Sequence, residues 1–175
     1  MVIVCSCLIV ADRVLAKILF AKEFYLAWQY APFLMISVVF GSLSGLLGGI
    51  FAAGKRSGVF AKTTIVGASV NTILNILLVN IMGVIGAAVA TLISYILVWL
   101  SRYREARKLI KLDVDVRRDC CSYLALIIQA IAFLIIRQNV ILYVVEGVIL
   151  FVVIAIYLHD IKYMATTFLD KINNR

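Results

Sequence analysis

The sequence predicts an all-α membrane protein, a polytopic helix bundle of five full transmembrane helices behind a truncated first one. Three observations predict it. Hydrophobic residues make up 65% of the 175 residues and charged residues 15%, against about 45–50% and about 25% in soluble domains. Two long stretches, 24–54 and 63–101, contain no charged residue at all. Of the 17 Lys and Arg residues, 13 gather in three clusters: Lys55/Arg56/Lys62, Arg102 to Arg118, and Lys162/Lys171/Arg175. A globule of this size has too much surface to hide so much hydrocarbon from water. With mean hydropathy at +1.10, disorder is excluded as well, because disorder needs low hydrophobicity.

About 20 apolar residues cross the roughly 30 Å hydrocarbon core as a helix. The first segment falls short of that. Residues 1–11 are apolar, but Asp12, Arg13 and Lys17 follow closely. Either this helix runs to Ala21 with charges in its outer half, or the sequence lacks the start of the helix. A secretory signal fits poorly, since charge follows the apolar run instead of preceding it. The second helix is expected over 29–53. The 39 uncharged residues of 63–101 hold two helices, 62–80 and 84–101, broken at Asn80-Ile81-Met82-Gly83 by turn-forming Asn and Gly. A fifth helix covers 120–136, closed by Arg137-Gln138-Asn139, and a sixth covers 140–158. The expected organisation is therefore a partial lobe (1–101), a charged connector (102–119), two final helices (120–158) and a tail (159–175).

The net charge of +8 would suggest nucleic acid in a soluble chain. Here the basic residues alternate with the spans. Placing 55–62, 102–119 and the tail on the cytoplasmic side puts 13 basic residues inside, against Lys22 and Arg137 outside. That is the pattern that orients membrane proteins, so no nucleic-acid partner is expected and the C-terminus is expected in the cytoplasm. Segment 102–119, with seven basic residues among Glu105, Asp113, Asp115 and Asp119, reads as a solvated cytoplasmic connector with a helical start.

Helices in lipid associate through close packing of small residues. Ser37, Gly41, Gly45, Gly49 and Ala53 recur every four residues as one expected ribbon, a static seam or one that slides during transport. Ser44 and Gly48 widen it. Gly83, Gly86 and Ala87 open the fourth helix for a tight approach to a neighbour. Asn71 and Asn75 share a stripe of the third helix, and buried amides require partners. They either bond across helices or face a wet cavity. Arg13 and Lys17 share a face that contacts a phosphate-bearing substrate or snorkels to headgroups. Glu146 lies midway in the last helix, where a carboxylate must be paired, protonated or hydrated. Arg137, nine positions away and about 13 Å along a helix, leaves its partner open.

Catalysis and metal binding find little material. No Walker-type phosphate loop occurs, and no triad can be assembled around the single His159. Cys5, Cys7, Cys120 and Cys121 lack the spacing of a zinc site or a disulfide framework. The chain is expected to be no enzyme, with neither metal nor cofactor.

The motifs resemble those of a known family. Ile18-Leu19-Phe20-Ala21-Lys22-Glu23-Phe24, Phe51-Ala52-Ala53-Gly54-Lys55-Arg56-Ser57, the Asn71-x-x-x-Asn75 helix and Gly83-Val84-Ile85-Gly86-Ala87-Ala88-Val89-Ala90-Thr91 resemble segments of polysaccharide repeat-unit flippases of O-antigen or capsule type. These belong to the multidrug/oligosaccharidyl-lipid/polysaccharide exporter superfamily. The likeness covers residues 18–102, and the last two helices match by hydropathy. It implies a bacterial cell-membrane carrier of 12 to 14 helices in two lobes around a cavity. Such a carrier flips an undecaprenyl-pyrophosphate-linked oligosaccharide to the outer leaflet by ion-driven alternating access.

This chain supplies six segments, corresponding to the last six of such a carrier. The expected partners are thus the bilayer, a lipid-linked oligosaccharide and a missing N-terminal lobe or partner chain. Arg13 and Lys17 are the pyrophosphate candidates by charge, and Asn71 and Asn75 are further substrate-contact candidates. Asp12 and Glu146 are the ion-coupling candidates. The alternatives are a drug/ion antiporter fragment of the same superfamily, which would favour acidic cavity residues, and a non-transporting scaffold of a polysaccharide assembly complex.

Overall fold

A computed structural model of the chain describes residues 1–19, 22–112, 115–136 and 139–173, with side chains described for 1–19, 26–112, 115, 117–136 and 140–158. The described residues form an all-α polytopic membrane bundle without a strand. The helices are α1 (Val2–Leu19), α2 (Ala31–Ala53), α3 (Ser57–Met82), α4 (Val84–Ala106), α5 (Val116–Ile135) and α6 (Asn139–Asn173), with a 3-10 segment, Lys22–Gln29, before α2. Five of them contain a stretch long and apolar enough to cross a membrane: α2, α3, α4, Arg117–Ile135 of α5 and Val140–Leu158 of α6.

Helix ends depart from expectation where no residue stops the helix. α4 continues past residue 101 to Ala106, through the expected helical start of the connector, and Arg102 is buried there rather than solvated. α6 runs on to Asn173, because 159–173 contains neither Gly nor Pro. At 35 residues it is about 52 Å long, well beyond the roughly 30 Å hydrocarbon core. Lys22, Glu23, Arg137, His159 and the basic residues of the tail lie outside the described side chains.

Two local devices set the chain direction. Gly83 alone separates α3 from α4, with φ +62 and ψ −139. That left-handed backbone is the conformation glycine tolerates without penalty. An added Cβ there would meet nothing within 4 Å, so Gly83 serves as the turn and not as the packing contact expected of it. At the end of α2 the left-handed residue is Lys55 (φ 53), while Gly54 has φ −79. The Lys55 and Arg56 N–H groups donate back to Ala52 O (3.1 Å) and Phe51 O (2.8 Å), the paired bonds of a Schellman end.

The described residues divide into two compact units, one of residues 1 and 11–115, the other of 2–10 and 116–175. In the first, α4 packs along both α2 and α3, which meet each other only sparingly. Phe33, Ile36, Val39, Phe40 and Phe51 of α2 and Ala88, Ala90 and Leu92 of α4 are buried. Trp99 stands edge-on to Phe40 at 5.5 Å and stacks on Tyr103 at 5.7 Å. Only Thr63 and Gly67 of α3 are buried, and Ile65, Val66, Ile73, Ile76 and Leu77 are exposed. Such a face has its natural solvent in lipid.

The small residues of α2 do not form one four-residue ribbon. A step of four turns a helix by 400°, so a four-residue repeat drifts around the axis. The contact seam instead alternates steps of four and three, through Ser37, Gly41, Ser44, Gly48 and Phe51. A Cβ at Gly41 would lie 3.0 Å from the Tyr95 ring, and one at Gly48 2.5 Å from Phe60, whereas Gly45 and Gly49 face open space. Ala53 is exposed. On α4, Gly86 abuts the backbone carbonyl of Leu78, and Gly67 of α3 receives Val98. Ala87 is half-buried, and its carbonyl accepts the Thr91 hydroxyl at 2.9 Å.

The second unit joins the start of α1 to α5, and α5 to α6. Ser6 and Gln129, both wholly buried, exchange two hydrogen bonds: Ser6 Oγ donates to Gln129 Oε1 at 2.8 Å, and Gln129 Nε2 donates to Ser6 O at 3.2 Å. Cys5 and Ile9 of α1 and Leu126, Ala130 and Phe133 of α5 are buried as well. Tyr157 of α6 donates to Asp119 of α5 at 3.3 Å, with the Arg118 guanidinium 5.2 Å from its ring.

Candidate functional site

Because α4 holds both α2 and α3 while those two barely touch, a cleft remains between them with α4 as its floor. It contains a cavity of about 290 Å³ lined by Gly41 and Ser44 from α2 and by Thr64, Gly67, Ala68 and Asn71 from α3. Ser94, Tyr95, Val98 and Arg102 of α4 complete the lining. Ser94, Val98 and Arg102 follow one another at intervals of four, which places them on one face of α4.

Arg102 lines the cavity and is 5% exposed. Its Nε donates to Thr63 Oγ1 at 3.0 Å and its Nη2 to Thr64 Oγ1 at 2.7 Å, while its Nη1 reaches the Ser44 carbonyl at 3.0 Å. The guanidinium also lies 4.0 Å from the Phe60 ring centroid, a cation–π contact. The threonines are oriented for the task. Thr63 donates its own hydroxyl proton to the carbonyls of Val59 and Phe60 (3.0 Å each), and Thr64 donates to Phe60 O at 2.8 Å. Their oxygen lone pairs are thereby free to accept from the arginine.

The hydrogen-bond acceptors of this cation are two hydroxyls and a backbone carbonyl, all electrically neutral. No carboxylate pairs with Arg102 among the described residues. Ser44, 2% exposed, has a hydroxyl in the cavity wall without a hydrogen-bond partner among the described residues. Ser94 is buried and returns its hydroxyl to Ala90 O at 2.8 Å.

The sequence-predicted residues are distributed unevenly. Asn71 lines the cavity, but its amide neither crosses to another helix nor stands alone. Asn75 Nδ2 donates to Asn71 Oδ1 and, at 3.0 Å, to Asn71 O, so the two form a pair along α3. Arg13 lies with its guanidinium 4.5 Å from the Trp28 ring, and Lys17 is exposed. Neither lines the cavity. Asp12 is 2% exposed, and Glu146 is fully buried on α6.

Sequence reasoning missed Arg102, Ser6 and Gln129 as organising polar groups. A usable signal for the first was the interval of four from Ser94 and Val98. For Gln129 the signal was an amide inside the apolar run of α5. All four cysteines are free thiols.

No family model matches the chain, and no solved structure does. Two curated relatives are similar to part of it. A protein described as a probable low-salt glycan biosynthesis flippase, Agl15, of Haloferax volcanii is 31% identical over 88 residues, which is 50% of this chain and 18% of the relative. An uncharacterized membrane protein of Methanocaldococcus jannaschii, MJ1068, is 30% identical over 98 residues, 56% of this chain and 19% of that relative. The matched stretches thus span less than a fifth of either relative's length. The chain is a multi-pass membrane protein, similar over about half its length to membrane proteins that include a flippase-like one.

Proposed function

We propose that this chain forms part of a flippase for lipid-linked glycans. The carrying observation is its 31% identity over 88 residues to a protein described as a glycan biosynthesis flippase, in a bundle with five membrane-length helices. The cleft of α2, α3 and α4 agrees with the reading. It presents hydroxyl, amide and guanidinium groups inside an apolar bundle, the group types that recognise sugars and phosphates. In its finer form the cargo is an oligosaccharide on undecaprenyl pyrophosphate, destined for a cell-surface polysaccharide such as O-antigen or capsule. The membrane is then the bacterial cell membrane, with the C-terminus on the cytoplasmic side.

Alternating access requires one repeat to rock against another, and six helices make up less than two lobes. The chain therefore acts with a further lobe. It moves its cargo without covalent chemistry. Arg13 and Lys17 remain the pyrophosphate contacts of this reading. The deep burial of Asp12 and Glu146 favours ion coupling, which a drug/ion antiporter would share.

The test is a strain lacking its own glycan flippase, supplied with the chain alone and with the chain plus a first lobe. Surface glycan restored by the pair but not by the chain alone is the expected result. Restoration by neither overturns the reading. Restoration by the chain alone keeps the activity and removes the second lobe.

A further inference from the structure

We propose that the α2–α3–α4 cleft is a binding site for the phosphate group of a membrane lipid, held by Arg102 and Ser44. Three observations meet there. The first is charge. Arg102 is 5% exposed and carries a fixed positive charge. Its hydrogen bonds go only to two threonine hydroxyls and a backbone carbonyl. Burial of a charge without a counter-charge is costly, and neither these neutral acceptors nor the Phe60 ring neutralises it. Three of its five N–H groups are engaged, and two remain for an incoming anion.

The second observation is the Ser44 hydroxyl, 2% exposed and without a hydrogen-bond partner among the described residues. A buried hydroxyl in that state leaves its desolvation uncompensated. It lines the same cavity as Arg102 and can donate to an anionic oxygen.

The third is the shape and polarity of the remaining space. The cavity measures about 290 Å³, which exceeds what one water needs. Beyond Arg102, Ser44 and Thr64 its walls include Gly67, Ala68 and Val98. A cavity that mixes a cation, hydroxyls and the Asn71 amide with small and apolar walls suits an amphiphile with an anionic head. Guanidinium is the side chain best matched to phosphate oxygens. The neighbouring helix α3 exposes a run of apolar side chains, a surface compatible with acyl chains beside the cleft.

The test reads binding alone, so its outcome is separate from that of the transport assay. The purified chain is incubated with phosphatidylglycerol or with diacylglycerol bearing the same acyl chains, and retained lipid is counted by native mass spectrometry. The expected result is a preference of about tenfold or more for phosphatidylglycerol, as one charge-assisted hydrogen bond supplies. Arg102→Gln abolishes this preference, and Arg102→Lys keeps part of it. If Arg102→Gln fails to fold, Ala68→Phe fills the cavity while leaving every partner of Arg102 in place, and it likewise removes the preference. Ser44→Ala weakens retention with the charge intact.

Equal retention of the two lipids by the wild type overturns the proposal, as does an undiminished preference in Ala68→Phe. Excess inorganic phosphate is expected to leave the retained lipid in place. Displacement by inorganic phosphate, dependent on Arg102, overturns the lipid as the source of the anion.

Discussion

Arg102 of α4 donates through Nη1 to the carbonyl of Ser44 on α2, 3.0 Å away, although 58 positions separate the two in sequence. The same guanidinium binds Thr63 and Thr64 of α3. One planar side chain thus joins two helices that otherwise touch little. Its rigid fork of donors is what makes three acceptors on two helices reachable at once.

Replacing Arg102 by alanine is expected to destabilise the bundle by about 2 kcal/mol, since hydrogen bonds from a charged donor contribute about 1.5–3 kcal/mol each and removing the charge returns part of that. Lysine should fall between, because one ammonium cannot reproduce the fork. Thermal unfolding in detergent measures the order. Equal stability of wild type and alanine variant would show that the three bonds only balance the burial of the charge.

The Ser6–Gln129 pair makes two reciprocal bonds among wholly buried groups. A double-mutant cycle with Ser6→Ala and Gln129→Leu should return a coupling energy of about 1 kcal/mol, the scale of interhelical hydrogen bonds in membranes. Each single variant leaves a buried polar group behind, so the double variant should lose less stability than the sum of the two single losses. Additive losses would show that the pair is not coupled.

Gly86 and Gly45 offer a matched contrast. A methyl at Gly86 runs into the Leu78 carbonyl, whereas one at Gly45 meets nothing within 4 Å. Gly86→Ala should therefore destabilise by about 1–3 kcal/mol, the usual range for overpacking. Gly45→Ala should be neutral or slightly stabilising, as alanine is the better helix former by about 1 kcal/mol. Paired melting curves decide, and an equal response at both positions contradicts the close approach of Gly86 to the Leu78 backbone.

Lys55 holds the left-handed position that ends α2. A residue with a Cβ loses about 1–2 kcal/mol in that conformation, and glycine avoids it at the cost of a looser unfolded chain. Lys55→Gly is expected to raise stability by up to about 1 kcal/mol. A loss of stability would mean that the Lys55 side chain makes a contact worth more than the strain.

Much of the fold was legible because membranes impose simple rules. A helix that crosses lipid must be long, apolar and uncharged, so 24–54 and 63–101 announced α2, α3 and α4 directly. The break between α3 and α4 was legible in Asn80–Gly83, though the structure narrows it to Gly83 alone, where φ is positive. The end of α2 was less legible. A glycine stands at 54, yet the left-handed residue is the lysine after it.

By itself the sequence determined composition, helical class, span number and the distribution of basic residues. These are properties of single segments against lipid, and they need no knowledge of neighbours. The cleft site depended on neighbours throughout. The ribbon expected at every fourth residue of α2 became a seam alternating four and three, because contact with a partner helix follows the helical twist. The two asparagines turned to one another along α3, so their amides found partners without crossing helices. Arg102 looked like the first charge of a solvated connector. Only the meeting of α2, α3 and α4 made it a buried cation, since burial and hydrogen-bond partners are properties of the assembled bundle.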